Sequence, residues 1–75
     1  MLAAYVLIQL GTEATPESLD QLRGIDGVQH AHIVFGPTDC IAFIQAPDME
    51  ALLECSMAIR DVAGVEATDT RLAVM

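Results

Sequence analysis

The 75-residue sequence predicts an α+β fold, and two observations support that prediction. Four apolar runs and two helical patterns follow one another in the order β-α-β-β-α-β. The segment RGIDGVQ at 23–29 recurs as RDVAGVE at 60–66, each time where a helix gives way to a strand. Together these features are typical of a ferredoxin-like βαββαβ sandwich, in which both helices cover one face of a four-stranded antiparallel sheet.

The first half of the chain contains a strand, a short helix and a second strand. The apolar run at 4–10 is predicted to be the first strand. Thr15 followed by Pro16 predicts the start of a helix, because proline at the first helical position misses no hydrogen bond. Gly24 marks the end of this helix. The second strand is predicted at 28–35.

The second half repeats this order after a short polar loop. The third strand is predicted at 40–46, where Pro47 ends it and Asp48 caps the second helix. Gly64 is expected to close that helix, and the last strand runs from about 65 to 74. The apolar stripe of the helix contains Leu52, Cys55, Ile59 and Val62.

The first and third strands are central in this topology and do not alternate polar with apolar residues. Their two faces carry Val6, Ile8 and Leu10 against Tyr5 and Leu7, and Ala42 and Ile44 against Ile41 and Phe43. A sheet with one face in water should alternate, so the helix-free face needs another cover. We therefore predict that a second subunit packs on it, sheet on sheet, in an assembly of the dimeric αβ-barrel type.

Charge excludes several classes of partner. The sequence contains eleven acidic residues, three arginines and no lysine, which gives a net charge of -8. Such a chain is repelled by phosphate backbones and anionic membranes, so neither direct nucleic-acid binding nor membrane binding is expected. The apolar N-terminal run lacks a basic leader and is too short to span a bilayer. We expect a cytoplasmic protein.

Cysteines and histidines are the remaining candidates for chemistry. Cys40 and Cys55 form no CxxC pair and are expected to be free, buried thiols. His30 and His32 lie on one face of the second strand, where they would offer a zinc or copper site together with Cys40. Two ligands and scattered acids make edge-strand or interface histidines the preferred interpretation, so no metal or cofactor is expected. No nucleophile-base pair or phosphate loop is present, and no catalytic residue is predicted.

Two motifs lie beside the edge strands: Gly-Pro-Thr-Asp at 36–39 and Gly-Val-Glu-Ala-Thr-Asp-Thr at 64–70. In order and spacing they resemble the G-x-x-D and G-V-x-x-T-x-T motifs of the effector-binding domain of Lrp/AsnC-type regulators, also called the RAM (regulation of amino acid metabolism) domain. The likeness covers nearly the whole chain. Full-length regulators of this family carry a helix-turn-helix domain and a linker, for which 75 residues leave no room. The resemblance is therefore to a stand-alone RAM domain that occupies residues 1–75 as a single unit.

This resemblance implies dimers that assemble into a ring, with an amino acid effector bound between dimers. Carried over residue by residue, the effector site consists of Gly36, Asp39, Thr68 and Thr70. A carboxylate at Asp39 would accept the effector's ammonium group, and a glycine lets the backbone approach the ligand closely. Without the family pattern, the preferred interpretation of Asp39 is a turn residue that bonds its own loop, and that of the threonines is strand formers at an edge. Thr38 replaces a residue that is often aromatic in the family, which leaves the effector's side chain open.

The expected function is that of a regulatory module, not an enzyme, linked to transcriptional regulation of amino acid metabolism without binding DNA itself. Two alternatives stay open. One is a small dimeric αβ-barrel oxygenase or isomerase, with a histidine of the second strand as acid or base. The other is a passive oligomerisation partner of a full-length Lrp/AsnC-type regulator.

Overall fold

A computed structural model describes residues 1–74 and shows one antiparallel sheet with two helices. The elements are β1 (Leu2–Leu10), α1 (Pro16–Arg23), β2 (Val28–Ile33), β3 (Cys40–Ala46), α2 (Met49–Arg60) and β4 (Val65–Leu72). The strand order is β2-β3-β1-β4. The predicted ferredoxin-like fold is therefore confirmed, with β1 and β3 in the centre and β2 and β4 at the edges.

Four element boundaries differ from the prediction, and the first is the start of β1 at Leu2, two residues before the predicted residue 4. α2 ends at Arg60 and is capped by Asp61, three residues before the predicted Gly64. Backbone hydrogen bonds in the following turn replace the helical ones, with the amide of Val62 donating to the carbonyl of Ile59 at 3.2 Å. β2 ends at Ile33, two residues early, because the chain turns there into the loop that leads to β3. β4 ends at Leu72 and not at residue 74.

The hydrophobic core lies between the helices and one face of the sheet. Along β3, buried and half-buried residues alternate strictly, as expected for a strand with helices on one side only. The largest fully buried side chains are Val6, Ile8, Leu22, Cys40, Ile44 and Ile59. Burying one aliphatic side chain of this size contributes about 1.5–3 kcal/mol, so this layer is the main source of stability.

The internal repeat of the sequence is also a repeat in structure. Gly27 and Gly64, which occupy the same position in the two copies, both adopt the left-handed conformation, with φ of 99° and 96°. The carbonyl of Gly27 accepts a hydrogen bond from the amide of Gln45 at 2.9 Å, and that of Gly64 accepts one from Gly11 at 2.8 Å. Each junction thus leads from a helix into an edge strand. Its hydrogen bond joins it to β3 in the first copy and to the residue after β1 in the second.

Both helices begin where the sequence predicts. At α1, Ser18 accepts a hydrogen bond from the amide of Thr15 at 3.0 Å and donates one to the carbonyl of Ala63 at 2.7 Å. The second bond joins the start of α1 to the turn before β4. At α2, the carboxylate of Asp48 accepts from the amide of Ala51 at 2.9 Å, which satisfies one of the free amides of the first turn.

Candidate functional site

The loop between β2 and β3 is fastened to β1 by Asp39. Oδ2 of Asp39 accepts a hydrogen bond from the amide of Leu10 at 2.9 Å. The amide of Asp39 donates to the carbonyl of Ile8 at 3.1 Å, and its carbonyl accepts from the amide of Val34 at 3.0 Å. The carboxylate therefore bonds a neighbouring strand and not its own loop, and its other oxygen is left for a further donor.

The tip of this loop is open. Gly36 has a φ of 127°, a conformation that favours glycine. Apart from the residues next to it in the chain, no atom of residues 1–74 lies within 4 Å of the place where a β-carbon would stand. Phe35 is fully exposed beside it, outside the strand in which the sequence placed it. The tip thus presents bare backbone and an aromatic ring. Sequence reasoning missed Phe35 as a surface residue, although its place next to a Gly-Pro turn was the available signal.

Thr68 and Thr70 lie on the helix side of the sheet. They stand directly opposite Ile8 and Val6 in the pairing of β1 with β4. Directly opposed residues of an antiparallel pair share one face, and Ile8 and Val6 are buried under the helices. Thr68 is half-buried and Thr70 is exposed. The two threonines therefore share a face at the edge of the sheet.

The loop and β4 meet at one hollow. Thr38 and Thr68 both line a hollow of about 230 Å³. Its other lining residues are Leu7, Gln9, Ala67 and Asp69. Of the four predicted effector-binding residues, only Thr68 belongs to this hollow. A single chain therefore brings the loop to β4 without enclosing all four residues in one pocket.

An ion pair that sequence reasoning missed lies beside this hollow. Nη2 of Arg71 is 2.9 Å from Oδ2 of Asp69, and both side chains are exposed. This hydrogen bond raises the pKa of Arg71. Asp69 and Arg71 stand opposite Leu7 and Tyr5, so they belong to the helix-free face of the sheet. Opposite charges two residues apart on a strand were the available signal.

We call the helix-free face of the sheet the open face. A row of neighbouring aromatic rings extends across it from β1 through β3 to β2. The ring centroids of Tyr5 and Phe43 are 5.0 Å apart, those of Phe43 and His30 6.4 Å, and those of His30 and His32 6.1 Å. These four rings, with Val34 and Ile41, surround a shallow hollow of about 570 Å³. Tyr5 is 49% exposed in the single chain. An apolar surface of this kind typically marks a site of contact.

Base stacking is one use for aromatic rings on such a sheet, but the charges argue against it. Single-stranded nucleic acids need cationic side chains to hold their phosphates as well as rings to stack their bases. The charged residues that strand register places on the open face are Asp69 and Arg71, and they neutralise each other. The open face is therefore suited to another apolar surface.

The three residues that were considered as metal ligands, His30, His32 and Cys40, do not come together. Cys40 is fully buried opposite Ile8 on the helix side, whereas His30 and His32 line the open face. Within residues 1–74, no group of three or more histidine, cysteine or acidic side chains is placed to hold a metal ion. Cys40 and Cys55 are free and buried, as predicted, and burial raises the pKa of both thiols.

Neither helix of the described chain is long and apolar enough to cross a membrane.

Comparison with known proteins matches residues 3–74 to the Lrp/AsnC ligand binding domain. A protein of Thermus thermophilus has a similar structure, with a TM-score of 0.88 and 29% identity over 100% of this chain and 95% of that chain. E. coli AsnC gives 0.84 and 18%, over 99% of this chain and 51% of its own. The feast or famine regulatory protein of M. tuberculosis complexed with L-methionine gives 0.82 and 21%, over 100% and 51%. No curated protein sequence matches the chain.

Proposed function

This chain belongs to the Lrp/AsnC ligand-binding domain family, and from that premise we propose that it is a regulatory module that binds an amino acid or a similar small effector. The whole chain would form one effector-binding domain. The L-methionine held by the M. tuberculosis protein supports this class of effector. The process under control would be transcription in amino acid metabolism, as the family suggests.

The observation that carries this proposal is the fastening of the Asp39 loop to β1 next to β4. This contact places Thr38 and Thr68 in one hollow and leaves an oxygen of Asp39 free. An effector at this end of the sheet would donate hydrogen bonds from its ammonium group to Asp39. Its carboxylate would accept hydrogen bonds from backbone amides near Gly36. Thr68 and Thr70 would add hydroxyls from β4.

Enclosing such a small ligand requires a second surface. Binding sites usually bury most of a ligand, whereas the hollow at Thr38 is open to solvent in a single chain. We propose that copies of this chain supply that surface. Two chains would pair through their open faces, and dimers would assemble further into a ring, with the effector between dimers.

The module would act without touching DNA. Its net charge of -8 opposes association with phosphate backbones. A DNA-binding homologue would therefore have to respond to whether the module holds its effector. Mixed assembly with a full-length regulator of the family is one way to achieve this. Co-purification with such a homologue would support the mixed assembly, and an exclusive homo-oligomer in the cell would contradict it.

An enzyme of the αβ-barrel type is less well supported. His30 and His32 do line a hollow, as that alternative requires, but the hollow is shallow and open. Their ring neighbours are each other and Phe43, and no acidic side chain on β2 or β3 is available to orient an imidazole. We therefore prefer the regulatory function.

Calorimetric titration with each of the twenty amino acids tests the proposal. We expect one or a few to bind, and Asp39→Asn to weaken that binding at least tenfold through loss of the charge. Asp20→Asn, on the exposed surface of α1, is the matched control and should leave binding unchanged. The absence of binding by any amino acid, or equal binding by the Asp39 variant, would contradict the assigned site.

A further inference from the structure

The two histidines of the sequence stand side by side on the open face. His30 and His32 point the same way from edge strand β2, with ring centroids 6.1 Å apart and ring planes within 15°. They pair with Phe43 and Ile41 of β3. The proposed function gives these residues no task.

Few charges surround this pair. β3 contributes Ile41 and Phe43, neither of which ionises, and the titratable group of β1 is the phenol of Tyr5. Asp39 lies in the loop, outside the strands of this face, and one of its carboxylate oxygens accepts the amide of Leu10. The sheet's opposite edge carries Asp69 and Arg71, which pair with each other. The helices lie on the other side of the sheet. With neutral histidines, the strand residues of the open face therefore have no net charge.

Because the open face has no net charge, a second copy of this chain is a suitable partner for it. Each chain carries a net charge of -8, so two copies repel each other over most of their surfaces. The open face is the apolar region where two copies could touch without opposing net charges. A second copy covering one hollow would also bring its own His30 and His32 into the contact.

We infer that His30 and His32 lie in the contact between two copies of this chain, and that protonation of these histidines opens that contact. The inference rests on the pairing of open faces in the proposed function. Covering a charged imidazolium with an apolar surface removes water from it, and the strands of the open face offer no unpaired carboxylate in return. Two cations about 6 Å apart in one chain also repel each other more strongly once the contact excludes water. The single chain therefore takes up protons more readily than the dimer, and lowering the pH favours the single chain.

A longer-range effect acts in the opposite direction but is weaker. Protonation reduces the negative charge of each chain and so lessens the repulsion between copies. At 0.15 M salt, charges more than about 8 Å apart are largely screened, whereas desolvation at the contact is not. The local effect should decide the sign. Histidine is the side chain that ordinarily changes charge between pH 5 and 8, which makes these two residues the expected source of any change there.

Sedimentation of the wild-type chain at pH 7.5, 6.5 and 5.5 in 0.15 M salt tests the inference. We expect the dissociation constant of the dimer to rise at least tenfold from pH 7.5 to 5.5. In the double variant His30→Gln, His32→Gln, which keeps polar side chains of similar size, it should change less than twofold. Circular dichroism at each pH must show that the chain stays folded.

A second measurement does not depend on the variant. The heat of diluting the wild-type dimer at pH 6.5, compared in two buffers with different ionisation enthalpies, reports the protons taken up on dissociation. We expect a net uptake. A dimer that is equally tight at all three pH values and takes up no protons would overturn this inference alone. A dimer that tightens on acidification would also overturn it, and a chain that is monomeric even at pH 7.5 would overturn the proposed pairing itself.

Discussion

Asp39 and Leu10 are joined by a hydrogen bond of 2.9 Å between a carboxylate oxygen and a backbone amide, although 29 residues separate them in the chain. The bond lies just beyond Ile8 and Cys40, the last pair of β1 with β3. The amide of Leu10 points to this side of β1, where β3 has not yet begun, and the carboxylate supplies the acceptor that the strand does not. Asp39 therefore has a structural role in addition to its proposed role in binding.

Two substitutions at Asp39 separate these roles. Asp39→Ala removes the acceptor of the Leu10 amide and should lower the free energy of unfolding by about 1–3 kcal/mol. Asp39→Asn retains a carbonyl oxygen at the same place and should lower it by less than Asp39→Ala. Urea denaturation measures both values. Equal losses in the two variants would show that the charge, and not the acceptor, holds the loop.

The glycines at the turns should differ in how far they tolerate a side chain. A β-carbon at Gly64 would stand 2.5 Å from Cα of Ala14. One at Gly36 would meet no described atom within 4 Å other than those of its neighbours in the chain. Both have positive φ, so alanine costs about 1–3 kcal/mol in backbone strain at either place. We expect Gly64→Ala to lower the melting temperature more than Gly36→Ala, because it adds a clash with the backbone. Similar melting temperatures for the two variants would contradict this packing.

Sequence patterns located the elements well where proline or a strong repeat marks a boundary. β3 has the predicted bounds, and both helices begin at the predicted signals, Thr15-Pro16 and Asp48. The end of α2 was wrong because Gly64 looks like a helix terminator, whereas it serves the left-handed turn into β4. The internal repeat predicts the correct end of α2, because α1 ends at Arg23 and the matching residue in the second copy is Arg60.

The candidate site was harder to predict because its geometry depends on contacts between distant residues. No local pattern reveals that Asp39 bonds Leu10, since only the folded sheet brings them together. The faces of Asp69 and Thr70 likewise follow from the register of β4 against β1. The two-sided apolar character of β1 and β3, in contrast, was readable because it depends on residue order alone.

The proposed pairing of open faces predicts a difference between two apolar positions, the half-buried Phe43 on the open face and the exposed Leu53 on α2. Phe43→Glu puts a charge into the open face and should weaken the dimer at least a hundredfold, because a buried, unpaired carboxylate is costly. Leu53→Glu is the control, since Leu53 is 55% exposed on α2 in the helical layer. Light scattering during size-exclusion chromatography measures both. If the two variants dimerise equally well, the open face is not the contact.

The buried thiols should make the fold sensitive to alkali. Burial raises the pKa of Cys40 and Cys55 above the ordinary value of 9.0. The unfolded chain therefore releases these protons first, so stability is complete below about pH 9 and falls as the pH rises through the folded-state pKa. The slope is at most about 1.4 kcal/mol per pH unit for each thiol. Urea denaturation between pH 7.5 and 10 measures this slope, which Cys40→Ala, Cys55→Ala should flatten.

The same burial predicts slow chemical modification. Cys40 is inaccessible and Cys55 is 5% exposed, so a thiol-specific reagent at pH 7.5 should react only on unfolding. Rapid reaction of the native chain would show that the core opens locally.

The position of the Asp39 loop within the repeat has a further consequence. Each copy of the repeat builds its own helix-to-strand junction, and the loop from 34 to 39 is the connection between the two copies. It belongs to neither half and has no duplicate. A molecule bound there would therefore contact the one connection between the two halves. A small displacement of this loop would change the position of one half relative to the other without unfolding either.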